Sequence, residues 1–482
     1  MKDFNYFLDY TGEMGYVEEV MSSIVYVSGL PDAKPQESVI FENGDLGQVI
    51  SLKRKYIEVL IFGSNKIRVG TKVARTDEML QFPVGDEYLG RMVNPLGVPL
   101  DNGKDLILSK FSAVDTQPHG IVGRKQVEKP LETGVTVVDL VIPLGKGQRE
   151  LIIGDRKTGK TEFLLHVIYN QAIKGSVCIY SIIGQRQEDI KKRYEYIIEK
   201  KIEKNCVVVA SCSSDPSGLI YLTPFSGMTI AEYFRDKGFD VLLILDDMTT
   251  HARIYREISL LARRFPGRDS YPGDIFYLHS RIMERAGNFK RGSITCLPVA
   301  ETIMGDLSGY LQTNLMGMTD GHIFFDIDLY NQGKRPSISP FLSVTRVGHR
   351  PQTLLLRDVS RQLLSFLVSY ERMKQFMHFG AEAEETIKGI IDLGKRIDIF
   401  FDQSDDSNIS ININVLILAG IWAGLWAEEE LSNIKNSFEG IILNYSTNPE
   451  YKKRVDALID SVRSFSDIVN KLRIDDSIFK TF

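Results

Sequence analysis

The stretch that most constrains this chain is GDRKTGKT, residues 154–161, because of what flanks it. The apolar triplet Leu151-Ile152-Ile153 precedes it and the helical run EFLLHVIYNQA follows. It fits the pattern G-x-x-x-x-G-K-[ST], and a strand before with a helix after is the context that gives the pattern physical meaning. The glycines let successive backbone N–H groups curl around phosphate oxygens, and the start of the next helix adds positive potential. Lys160 is then expected to bridge β- and γ-phosphates and Thr161 to ligate Mg²⁺. Gly154, Asp155, Arg156, Lys157, Thr158, Gly159, Lys160 and Thr161 together form the candidate nucleotide-binding loop. An ordinary glycine turn before a helix is the competing reading, which the full motif in context disfavours.

A loop of this kind needs a parallel sheet around it, and the sequence supplies one. ELIIGD, SVCIYSII, NCVVVASC, DVLLILDD, GSITCLPV and DGHIFFDI are near-continuous apolar runs separated by helical stretches such as LTPFSGMTIAEYFRDKG. Strands buried on both faces look like this, with crossover helices between them. The run DVLLILDDM ends in Asp246, and a carboxylate at the end of a buried strand can hold a water of a Mg²⁺ shell. Asp246 is the expected metal partner, with Asp247 second. The run from Cys178 to Ile183 ends differently, in Gly184 and Gln185. An ATP-hydrolysing site wants a carboxylate there to activate water. A glutamine amide can hydrogen-bond a water but cannot take its proton. The bland alternative is that Gln185 only caps its strand.

On either side of this α/β region the patterning changes. Residues 1–78 are short alternating segments broken by glycine, the signature of a small β-barrel or sandwich. A turn-rich bridge, VGDEYLGRMVNPLGVPLDNG, leads into the α/β domain, taken as 79–352. Residues 353–482 carry helical periodicity with charged outer faces and form the expected C-terminal helical domain. The fold class is thus multi-domain: an N-terminal β-barrel, a central RecA-like α/β P-loop domain and a C-terminal α-helical domain.

A length of 482 residues suits several cores, and a net charge of −5 disfavours a general nucleic-acid or anionic-membrane surface. Basic runs such as Lys53-Arg54-Lys55 and Lys191-Lys192-Arg193 read as solvated faces. The cysteines, Cys178, Cys206, Cys212 and Cys296, lack zinc-ligand spacing and read as buried thiols of a reducing compartment. Lone histidines such as His166 and His279 read as core or surface residues rather than ligands. The longest apolar run, Val415 to Ala427, is shorter than the ~20 residues of a membrane span and is expected to be a core helix. Met1 to Tyr10 carries acids and no long apolar run, so no signal peptide is expected.

Four long stretches now point together: residues 130–162, 255–287, 292–326 and 333–348, the last being GKRPSISPFLSVTRVG. In this order they closely resemble the alpha-subunit family of the F-type ATP synthase, from the barrel to the closing FKTF. The resemblance implies a ring of alternating alpha and beta subunits around a rotating gamma stalk. A delta or peripheral stalk and a membrane ion-translocating sector complete the machine, and no nucleic acid takes part. It implies binding of Mg-ATP or Mg-ADP at a site that does not turn over, since the catalytic beta subunit has glutamate where alpha has glutamine, here Gln185. It implies that Arg346, in SVTRVG, reaches across to the neighbouring beta site as an arginine finger during proton-gradient-driven ATP synthesis. A guanidinium suits that role, being always charged and planar. It places Tyr330 and Arg335 by the adenine pocket and Gln403 in the loop closing over the base. With no transit peptide visible, the implied location is the cytoplasmic face of a bacterial inner membrane, as a peripheral protein.

The sequence departs from the family pattern in places. Lys157 replaces a glutamine of the loop and Glu162 a small or apolar residue, so Lys157 either adds charge beside the phosphates or pairs with Glu162. Asp405 stands where a second adenine-loop glutamine is typical. His349-Arg350-Pro351 follows Arg346 where small residues are usual, making Arg350 a second candidate cation. The segment before the barrel is shorter than the usual stalk-engaging extension. Two other readings stay open: a catalytic ATPase of the same superfamily, which Gln185 opposes, and a hexameric RNA or DNA translocase, which would need a basic, aromatic groove in the first domain.

Overall fold

The computed structural model describes residues 3–63, 67–378, 385–403 and 408–479. By contact density they divide into two units. The first comprises 1–125, 172–302 and 306–319, and the second 126–171, 303–305 and 320–482.

The first unit opens with a short helix, Phe4–Thr11, that the alternating pattern did not announce. Asp3 caps it by accepting from the Tyr6 N–H at 2.9 Å, and Gly12 ends it at φ +70°. The expected barrel follows. Its strands are β1 (Met14–Met21), β2 (Ile24–Ser28), β3 (Glu37–Phe41), β4 (Leu46–Leu52), β5 (Ile57–Ile61) and β6 (Lys72–Met79). They close in the order β1-β2-β5-β4-β3-β6. Val17, Val25, Val27, Val39, Phe41, Val49, Val59 and Val73 fill the interior, where β-branched side chains pack well on a pleated surface.

The same unit holds a parallel sheet. In spatial order its strands are Ser293–Glu301, Asp240–Asp246, Val177–Gln185, Cys206–Cys212 and the short Met92–Val93. Asp240–Asp246 is buried from Val241 onward, and Val177–Gln185 from Val177 through Ile183, which explains their apolar sequences. Helices Gln187–Glu199, Ser217–Asp236 and Met248–Leu261 connect these strands.

In the second unit, Leu151–Gly154 runs parallel to Gly321–Phe325, which pairs antiparallel with Val344–Thr345. The C-terminal part is all helix: Leu354–His378, Glu385–Phe401, Ile411–Ala423, Leu431–Thr447, Pro449–Asp460 and Phe465–Ile474. The apolar run at 415–427 is a core helix, as expected. Ile413 to Ile421 are buried, and Gly424 at φ +85° stops the helix. No helix among the described residues is long and apolar enough to cross a membrane. The four cysteines are free thiols; Cys178, Cys206 and Cys296 are buried and Cys212 is partly so.

Candidate functional site

One candidate group, the phosphate loop, lies in the second unit. The strand Leu151–Gly154 delivers the chain into the loop, and the helix Lys160–Ile173 receives it. Gly154 is obligatory for a steric reason. A Cβ there would lie 2.3 Å from the Phe325 carbonyl oxygen of the neighbouring strand. Lys157 and Gly159 both take left-handed backbone, at φ +61° and +88°, the kind of local curl from which anion-binding nests are built. Thr158 anchors the curl: its hydroxyl donates to the Asp155 carbonyl at 2.8 Å, and its own carbonyl accepts from Ser337 Oγ at 2.7 Å. The Asp155 carboxylate accepts from the Gly305 N–H at 3.1 Å, so it braces the loop. Lys160 Nζ donates to the carbonyls of Gly154 and Asp155 at 2.8 and 2.5 Å, keeping its charge over the loop's mouth. Arg156 and Lys157 are exposed, and Thr161 sits in the first helical turn. Among the described residues no ion pair joins Lys157 to Glu162.

Beside the loop is a cavity of about 130 Å³. Thr158, Gly159, Glu162, Tyr330, Arg335 and Gln403 are among its lining residues, so it gathers five residues singled out in the sequence and the variant Glu162. The Arg335 guanidinium lies 3.6 Å from the Tyr330 ring centroid and donates to the Tyr330 and Lys334 carbonyls at 2.9 and 2.8 Å. This is a rigid cationic-aromatic wall of the sort that packs against a planar base. Gln403 is buried, with its amide tied at both ends. Nε2 donates to the Gly134 carbonyl at 2.7 Å and Oε1 accepts from the Thr136 N–H at 3.0 Å. Gln403 therefore fastens its loop to the segment before the phosphate strand. Asp405 lies outside the described residues.

A second candidate group, around a strand-end carboxylate, lies in the first unit. Asp246 is buried at its strand end, and its Oδ2 accepts from Tyr180 Oη at 2.8 Å and Arg193 Nη1 at 2.9 Å. Oδ1 has no hydrogen bond among the described residues, which leaves one carboxylate oxygen able to hold a metal-bound water. Gln185 Nε2 donates to the Asp246 backbone carbonyl at 3.2 Å, tying the two strand ends together. Asp247 is engaged otherwise. It caps the helix Met248–Leu261, accepting from the Thr250 N–H and hydroxyl at 2.5 and 3.0 Å. Burial, reinforced by the charge of Asp246, pushes its carboxyl up to about 7.

Arg346 is exposed in the turn after Val344–Thr345, and among the described residues its guanidinium makes no hydrogen bond or ion pair. The backbone beneath it is held firmly. The Arg346 N–H donates to the Asp320 carbonyl at 3.0 Å, and Arg149 grips the Asp320 carboxylate at 2.8 and 3.1 Å. Gln148 Nε2 donates to Glu150 Oε2 at 2.6 Å and to Thr345 Oγ1 at 3.0 Å. Glu150 is fully buried, and burial pushes its carboxyl well above the ordinary range. Arg350, the second candidate cation, is exposed on the same turn.

Sequence reasoning missed Tyr180, Gln148, Glu150 and above all Arg193. The basic run 191–193 reads as a solvated face, yet Arg193 points inward. The signal was there: Arg193 lies three residues after Ile190 and four before Ile197, both buried on the helix Gln187–Glu199. His279 is a core histidine, as expected, hydrogen-bonded to His251 at 3.0 Å between ring nitrogens.

Comparison with known proteins gives two matches to family profiles. Residues 134–345 match the ATP synthase alpha/beta family, nucleotide-binding domain, and residues 352–473 the C-terminal domain of the ATP synthase alpha/beta chain. Among curated relatives, the chain is 42% identical over 393 residues to ATP synthase subunit alpha of Mycoplasma pneumoniae, covering 80% of this chain and 76% of that protein. It is 39% identical over 410 residues to the Neorickettsia sennetsu subunit alpha, with 82% and 80% covered. With the Staphylococcus aureus subunit alpha it shares 41% identity over 389 residues, covering 80% and 78%.

Proposed function

Because the chain belongs to the ATP synthase alpha/beta family, among its alpha subunits, we propose that it is a nucleotide-holding, non-catalytic ring subunit that lends Arg346 to a neighbouring beta subunit. Lys160 and the loop N–H groups bind the phosphates. The Tyr330–Arg335 wall and Gln403 bound the base. Thr161 and Asp246 are the residues that would hold Mg²⁺. The ion when bound neutralises phosphate charge. What supports the reading is the left-handed backbone at Lys157 and Gly159 in the loop and, taken by itself, the burial of the Asp246 carboxylate at its strand end.

The observation that carries the non-catalytic reading is Gln185. Its amide is the polar group at that strand end, and it is spent on the Asp246 carbonyl. A neutral amide has no basic site for a water proton near neutral pH, so hydrolysis lacks its base. The partners that follow are a beta subunit on each side, a gamma stalk within the ring, a delta or peripheral stalk, and contact with the membrane sector through those subunits. Location at the cytoplasmic face of a membrane, as a peripheral protein, belongs to the same reading.

The test is direct. The full-length purified chain is expected to bind Mg-ADP and Mg-ATP and to release almost no phosphate. Lys160→Ala is expected to weaken that binding at least about tenfold, the scale of one charge-assisted contact to phosphate. Brisk hydrolysis by the chain alone would refute the reading.

A further inference from the structure

The function just proposed leaves Glu162 unused, although it stands within the phosphate-loop group. It lies in the first turn of the helix Lys160–Ile173, three residues after Gly159. The next residues fix the rotation of that helix. Phe163 is buried, with its ring 5.5 Å from that of Phe325, and Leu164 is fully buried. Glu162 is thereby turned out of the core. It is exposed and lines the cavity whose wall also includes Thr158 and Gly159 of the loop and the Tyr330–Arg335 pair. It is the one acidic side chain among the described residues lining that cavity. Among the described residues its carboxylate makes no hydrogen bond or ion pair. Lys160, its near neighbour, is turned back to the Gly154 and Asp155 carbonyls instead.

An ionised carboxylate accepts hydrogen bonds and donates none. It repels the phosphates that the loop and Lys160 attract, so the part of a ligand it can hold is a neutral one that carries donors. The sugar of a nucleotide lies between its phosphates and its base, and in the ribo form it carries two adjacent hydroxyls. Two carboxylate oxygens match such a diol, and an acid that takes the ribose 2′-hydroxyl is a known solution in dinucleotide-binding folds. We propose that Glu162 is a sugar-specificity residue of this site, accepting from the ribose hydroxyls and selecting ribonucleoside over deoxyribonucleoside phosphates. The inference rests on the reading of the loop and the Tyr330–Arg335 wall as the phosphate and base ends of one nucleotide site. All of these residues belong to the second unit.

The experiment is equilibrium binding of ADP and of 2′,3′-dideoxy-ADP to the full-length chain at one fixed Mg²⁺ concentration, read as the ratio of the two Kd values. The wild-type chain is expected to bind the dideoxy nucleotide at least about tenfold more weakly, the scale of one lost hydrogen bond to a charged group. Glu162→Ala is expected to bring the two Kd values together. Glu162→Gln, which keeps an acceptor oxygen without the charge, is expected to fall between. Equal Kd values in the wild type overturn the proposal without any variant, and so does a ratio that Glu162→Ala leaves unchanged. Inosine diphosphate keeps the diol and replaces the adenine amino group with an oxygen, so it tests the other donor that a carboxylate could take. If Glu162→Ala alters discrimination between ADP and inosine diphosphate but not the dideoxy ratio, the acid reads the base and the sugar assignment is overturned. Lys160→Ala separates this inference from the reading beneath it. If it weakens ADP binding while the Glu162→Ala ratio does not move, only the Glu162 inference falls. If it leaves ADP binding intact, the nucleotide-site reading falls and this inference with it.

Discussion

Individual residues in this chain are held by contacts that a sequence does not display. Glu150 shows this best. It stands in the sequence between Arg149 and an apolar strand, and it is buried and bonded to Gln148 near the turn that carries Arg346. Its folded pKa is raised, so the folded state holds a proton that the unfolded chain gives up above its ordinary value of 4.5. The stability this proton linkage contributes is therefore present at low pH and lost as pH rises above 4.5. Glu150→Gln keeps the shape and has no proton to lose. Its stability relative to wild type is expected to grow from pH 5 to pH 8, measured by urea unfolding at several pH values. Gly154→Ala makes the opposite kind of test. Its new Cβ would meet the Phe325 carbonyl oxygen, and overpacking of this sort costs about 3 kcal/mol. A lowered unfolding midpoint together with lost nucleotide binding is expected. At this scale the glycine was legible, because a motif demanded it. Glu150 and Arg193 were not, because burial of a charged side chain depends on which strand or helix ends up beside it.

At the scale of elements the sequence was more open. Parallel strands and their crossover helices were readable because burial on both faces imposes continuous apolar runs, and the core helix at Ile411–Ala423 was readable from its length. What periodicity could not give was which helices share polar contacts. The helices Met248–Leu261 and Ile275–Met283 meet through His251 and His279, and His251 also bonds the Tyr221 carbonyl at 3.0 Å. Burial pulls the His251 ring down to about 4 and holds His279 well below its ordinary range, so both are neutral in the fold. A depressed histidine binds fewer protons folded than unfolded, so stability is full above the unfolded value of 6.5 and is lost as pH falls below it. At pH 5 His251 alone is expected to have cost about 2 kcal/mol, with His279 adding in the same direction. The double variant His251→Phe with His279→Leu is expected to lose less stability than wild type between pH 7 and pH 5, by thermal or denaturant unfolding. An equal loss in both proteins would show that the pair does not govern the acid limb.

For the whole molecule, the three-part architecture was legible: alternating glycine-broken segments for the barrel, apolar runs for the α/β region, helical periodicity for the C-terminal part. The two candidate groups were legible to different depths. The phosphate loop and its neighbouring cavity brought together residues already named, from Thr158 to Tyr330, Arg335 and Gln403. The group around Asp246 held an arginine that a charge count assigns to solvent. The division of labour is the proposal that joins these parts. In it this chain keeps a nucleotide, lacks the base to hydrolyse it, and offers Arg346, which has no hydrogen bond or ion pair from its guanidinium among the described residues. The most direct measurement is made on a ring reconstituted from this chain and its beta partner, comparing wild type with Arg346→Ala. Multisite ATP hydrolysis is expected to fall about a thousandfold, the scale of an arginine finger, while nucleotide bound at this chain's own loop stays at the wild-type level. Retained rapid hydrolysis in Arg346→Ala would contradict the account.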